Sequence, residues 1–120
     1  MPIKLNIPEN KMQTLQDVLA ISVDHITHLP KRRDDLDQKN RKIHTSILFG
    51  LYKLIYEKNQ RLIRPKKYTI ELEIHQAIIF LDALIFFLGN TSDPFKCNQA
   101  EIIKNKLHQK LTNLEPVSGQ

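Results

Sequence analysis

His25-Ile-Thr-His28 places two imidazoles three residues apart, and Asp24 stands beside them. On a helix that spacing puts both rings on one face. Such a pair can begin a metal site when further ligands come from elsewhere. The chain has a single cysteine, Cys97, and no second Cys/His cluster to complete the set. The simpler reading is two histidines near a helix C-terminus, where positive charge is favoured. No metal or other cofactor is expected. Cys97 falls in the first turn of the last predicted helix, a place that can acidify a thiol. Nucleophilic catalysis also needs a base held at fixed geometry, so a structural cysteine is the preferred reading.

Asp82 is the most informative single residue. It lies in Ala77-Ile-Ile-Phe-Leu-Asp-Ala-Leu-Ile-Phe-Phe-Leu, where every helical face is apolar. A buried carboxylate must be paired, hydrogen-bonded or neutralised. His75 stands two turns earlier on the same face, so His75 and Asp82 form a candidate buried polar pair. A carboxylate tied to Thr45, Ser46, Tyr52 or a lysine of a neighbouring helix, or placed near an interface, is preferred to a catalytic one. Structural ion pairs perturb carboxylates as readily as active sites do.

Lys58, Arg61, Arg64, Lys66 and Lys67 form the candidate partner or anion surface. Between residues 53 and 67 only Glu57 opposes six bases, while residues 68–95 hold Glu71, Glu73, Asp82 and Asp93 with no base. The net charge of +5 is therefore unevenly spread. Such separation suits an acidic partner at one end or head-to-tail self-contact. A second basic run, Lys31-Arg32-Arg33, falls at the opposite end of a predicted hairpin, roughly 40 Å away at 1.5 Å per residue. Tyr56 and Tyr68 flank the first cluster but make no stacking platform alone. No nucleic-acid module signature is present. Nucleic acid is a possible partner, less favoured than protein. Thr45, Ser46 and Gly50 make a small-residue patch that suggests close helix approach, because glycine inside a helix costs about 1 kcal/mol.

The elements that must position these groups follow from periodicity. Ile3, Leu5 and Ile7 alternate with Lys4 and Asn6, which predicts a strand over about 3–7. Tyr68, Ile70 and Leu72 alternate with Thr69, Glu71 and Glu73, which predicts another over about 68–73. The first helix runs from Glu9 to about Leu29 on a stripe of Met12, Leu15, Leu19, Ser22, Ile26 and Leu29. The second runs from about Asp35 to Leu62 on Leu36, Ile43, Ile47, Leu51, Leu54, Ile55 and Leu62. The third extends to Leu88, with Gly89-Asn90 as its stop. Asp93-Pro94 starts the fourth, which ends near Leu114. Both halves read strand, helix, helix, and Ile3-Lys-Leu-Asn-Ile weakly echoes Ile70-Glu-Leu-Glu-Ile.

A chain of 120 residues supports one core without disulfides. With 41% hydrophobic and 26% charged residues it is not broadly disordered. The expected fold is mainly α: a four-helix antiparallel bundle-like domain over 1–120 with two short β-strands. Residues 115–120 are expected to form a short flexible tail. The third helix, apolar all round, is expected at the centre. No secretory signal is visible, because Lys4, Asn6 and Glu9 interrupt the apolar start. Ala77–Leu88 is too short to span a bilayer, so no membrane association is expected. The lone thiol then suggests the cytoplasm. The expected function is non-enzymatic protein–protein interaction, through a homodimer or an acidic partner. The alternative is a nucleic-acid-binding accessory protein using the basic 58–67 segment, and an enzyme built on Asp82 and His75 ranks third.

Overall fold

A computed structural model describes residues 2–28, 35–63 and 65–114, the side chains of 35–37 and 114 excepted. Period-2 alternation forms two strands, β1 (Ile3–Pro8) and β2 (Lys67–Leu72), paired antiparallel. Ile3 stands opposite Leu72, Leu5 opposite Ile70 and Ile7 opposite Tyr68, and all of these are buried. On the outer face Lys4 meets Glu71 at 3.9 Å, and Thr69 Oγ1 donates to Asn6 Oδ1 at 2.9 Å. A slip of one residue would turn the three apolar pairs to water, so burial pins the register.

A 3-10 turn (Glu9–Lys11) leads into α1 (Met12–Thr27), followed by α2 (Asp35–Asn59), α3 (Ile74–Asn90) and α4 (Pro94–Leu114). The fold is mainly helical, four helices with a two-stranded antiparallel sheet. Among the described residues no helix is long and apolar enough to cross a membrane. α1 packs on α2 and α3 on α4, while α3 also meets α1 and α2. The core gathers where they converge, around Leu15, Leu19, Leu48, Leu51, Phe80 and Phe87.

Local chemistry sets the helix ends. Gln76 Oε1 accepts the Glu73 N–H at 2.8 Å, half of a capping box at the start of α3. Asp93 Oδ1 accepts the N–H groups of Phe95 and Lys96 at 3.0 and 3.3 Å, with Pro94 as the first residue of α4. The second helix ends at Asn59, before the expected Leu62. Asn59 Nδ2 donates to Gln16 Oε1 at 2.7 Å and to the Met12 carbonyl at 3.3 Å. Tyr68 Oη donates to the Lys58 carbonyl at 3.4 Å. These bonds tie the α2 terminus to α1 and β2 and release Leu62 from the stripe, 101% exposed. Ile43 also faces outward, and Leu48, absent from the predicted stripe, is buried instead.

A polar seam joins α1 to α4. Thr14 Oγ1 donates to Gln99 Oε1, and Gln99 Nε2 donates to the Asn10 carbonyl at 3.1 Å. Beside it Lys96 Nζ lies 2.8 Å from Asp17 Oδ2. That hydrogen bond, with the carboxylate charge, holds the Lys96 ammonium above its ordinary pKa.

Two expectations need correction. The third helix does not sit at the centre with every face covered. Ala77, Phe80, Ala83, Leu84 and Phe87 turn inward, while Ile74, Ile78 and Ile85 stay about half exposed at 49%, 48% and 53%. Helices α1, α2 and α4 cover part of its circumference and leave one side open. The small-residue patch does not admit a close helix either. Gly50 is exposed, and a Cβ built there would meet nothing within 4 Å. Thr45 Oγ1 donates within its own helix to the Arg41 carbonyl at 2.7 Å. Gly50→Ala should therefore raise stability by about 1 kcal/mol, because alanine gains helix propensity without a clash. A urea midpoint at or below the parent's would contradict that reading. Leu29, the Lys31-Arg32-Arg33 run and the 115–120 tail lie outside the described residues.

Candidate functional site

The basic segment surrounds the α2–β2 connection. Lys58 is half-buried in the last turn of α2, where the helix dipole favours cations, and Arg61, Lys66 and Lys67 are exposed beyond it. Arg64 lies outside the described residues. The Lys66 carbonyl accepts the Glu9 N–H at 2.8 Å, which ties the connection to the turn after β1. Leu62 and Ile63 project among these cations, 101% and 88% exposed. The structure brings Lys58, Arg61, Lys66 and Lys67 to one end of the fold, where Lys66 lines a groove with Pro8, Glu9, Asn10 and Pro65.

His75 and Asp82 are not the buried pair expected. Both are exposed on α3, and no hydrogen bond or ion pair joins them among the described residues. Seven residues do place them on one side of the helix, but it is the open side. Solvent meets the carboxylate there, so no buried partner is required. The histidine pair of α1 also separates. The His28 Nδ1 lies 2.7 Å from the Asp24 carbonyl and 3.2 Å from its carboxylate, both side chains about three-quarters exposed. His25 instead packs its ring on Phe86, centroids 4.3 Å apart and planes tilted by 31°. Among the described residues no three His, Cys, Asp or Glu side chains converge as metal ligands. Cys97 is half-buried, its thiol 3.7 Å from the Thr91 carbonyl at the start of α4.

The feature that the sequence reading missed is a cavity of about 210 Å³ between α1, α2 and α3. Its apolar wall is Ile26, Leu48, Ala83 and Phe86. Ser22, His25, His44 and Asp82 supply its polar groups. Ser22 is 5% exposed, and among the described residues its hydroxyl has no hydrogen-bond partner. Helical periodicity explains that position. Met12, Leu15, Leu19, Ser22 and Ile26 occupy one stripe of α1, so a hydroxyl is carried into an apolar interior. A serine in a stripe position was the available signal. His44 comes from α2 and Asp82 and Phe86 from α3, a juxtaposition that only the tertiary packing creates. No family model matches the chain, and no curated protein or solved structure matches it.

Proposed function

We propose that this is a small non-enzymatic cytoplasmic protein that acts by protein–protein contact, first of all with a second copy of itself. In this reading the helical pairs α1–α2 and α3–α4 pack as an antiparallel bundle-like unit. The observation that supports self-association is the open face of α3. Ile74, Ile78 and Ile85 share that face, each about half exposed, and monomers rarely leave a continuous apolar patch uncovered. Residues 74–90 contain no lysine or arginine. A chain of net charge +5 therefore meets less self-repulsion here than at its basic end.

The face is also self-complementary. A two-fold axis crossing α3 near residue 79 pairs positions equally far before and after it on two antiparallel helices. With the axis midway between residues 79 and 80, Ile74 meets Ile85 of the second copy, and Ile78 falls within one turn of its own equivalent. His75 then falls within one turn of Asp82 of the second copy, an approach of two residues that are separated within one chain. Burial of large aliphatic side chains at about 25 cal/mol per Å² drives the association. The exposed Arg61, Lys66 and Lys67 are left for an acidic partner. Nucleic acid would use the same cations and remains the second reading, with no added observation in its favour.

Light scattering at tens of micromolar should give about twice 14.1 kDa for the parent and the monomer mass for Ile78→Asp. The substituted carboxylate would have to be desolvated twice at the axis, which costs several kcal/mol. A parent that stays at 14.1 kDa over a wide concentration range would refute self-association.

A further inference from the structure

The cavity between α1, α2 and α3 offers a function beyond self-association, and Asp82 at its mouth also borders the open face of α3. We infer that it binds a small, uncharged aromatic molecule with one hydrogen-bonding group, and that this group meets the Ser22 hydroxyl. Size is the first argument. An apolar cavity of about 150 Å³ takes benzene, and this one is about 210 Å³. One ring with a short substituent therefore fits, and a long chain does not.

Wall chemistry is the second argument. Leu48 is fully buried, and with Ile26 and Ala83 it makes an aliphatic wall. The Phe86 and His25 rings, 4.3 Å apart, add an aromatic wall on which a planar ligand can stack. Such walls penalise an ion, which would lose its hydration without compensation.

Ser22 is the third and decisive argument. Its hydroxyl is buried and unpaired, and a buried hydroxyl without a partner is costly. A single water is a poor occupant, because buried waters use about two to four polar partners. Ser22 is the sole buried polar side chain among the described residues of this wall. Asp82 and His25 are exposed at the mouth, and His44 is half-buried. They keep the entrance solvated and leave the interior apolar. A phenol-like molecule satisfies the whole arrangement: its ring takes the apolar wall and its hydroxyl bonds to Ser22 Oγ.

The test uses the full chain with two probes of nearly equal shape, phenol and toluene, followed by amide chemical shifts in NMR. Phenol should saturate shifts of residues around Ser22, Leu48 and Phe86. It should bind about fivefold to tenfold tighter than toluene, the worth of one added hydrogen bond. Ser22→Ala should remove that preference without lowering the melting temperature, since it deletes an unpaired group. Ala83→Leu fills the cavity and should weaken both probes at least about tenfold. If that variant does not fold, the parent's own shift map decides the location. Lack of saturation by either probe at millimolar concentration would overturn the inference. So would shifts that map away from the cavity, or a preference for phenol that survives Ser22→Ala. The same titrations on the Ile78→Asp chain, which retains every residue of the cavity, give the answer independently of oligomeric state.

Discussion

Phe80→Ala should cost about 3–5 kcal/mol, the range for emptying a buried aromatic site. The side chain is fully buried and belongs to the largest group in the core. It lies on the inner face of α3 with Ala77, Leu84 and Phe87, and α3, like α1, packs on all three other helices. Neighbours held from several sides cannot close the void. A domain is stable by only about 5–15 kcal/mol, so this one change removes a large share. Phe95→Ala on α4 is the control. Phe95 is 66% exposed, and its loss should stay within about 0.5 kcal/mol. Urea unfolding of both variants checks the difference, and equal midpoints would mean that the inner face of α3 has been misplaced.

Gln99→Leu is the second large effect, expected at about 1–3 kcal/mol from one stranded buried hydroxyl. Gln99 is buried to 4% exposure and Thr14 to 3%. The amide accepts from Thr14 Oγ1 and donates to the Asn10 carbonyl, so it serves the start of α1 from α4. Leucine leaves the buried threonine hydroxyl unpaired and removes a partner of the carbonyl of Asn10, an exposed residue. Adding Thr14→Val should return part of the loss, because one unsatisfied donor is then gone. The coupling in a double-mutant cycle should be about 0.5–3 kcal/mol. Strict additivity would show that the two side chains do not depend on each other.

Periodicity made most of the fold legible. Both strands appear within one residue of their expected limits, because alternating burial leaves only one register. The fourth helix was readable from Asp93-Pro94, whose capping bonds are local. The second helix was read too long because its end is set by Tyr68 and by the contact of Asn59 with α1. Partners so distant in sequence leave no periodic signal. Leu48 was missed, and Ile43 wrongly included, because the helix faces α1 and α3 at a slightly rotated angle.

Asp82 shows a different limit. Its surroundings on α3 are apolar all round, which argued for burial, yet a helix has no centre of its own. Which side stays open depends on where α1, α2 and α4 stop. The candidate cavity was invisible for the same reason. Ser22, His44 and Phe86 come from three helices, and only the serine on an apolar stripe hinted at it. The basic residues were readable as a cluster, since they lie in or directly beside one short connection.

Self-association through the open face of α3 is tested most directly by isotope-filtered NMR on a mixture of labelled and unlabelled chains. Such spectra report only contacts between different copies. The methyl groups of Ile74 and Ile85 should contact each other across copies, with Ile78 within one turn of its own equivalent. Absence of any intermolecular contact at millimolar concentration, or contacts confined to Leu62 and Ile63, would contradict it.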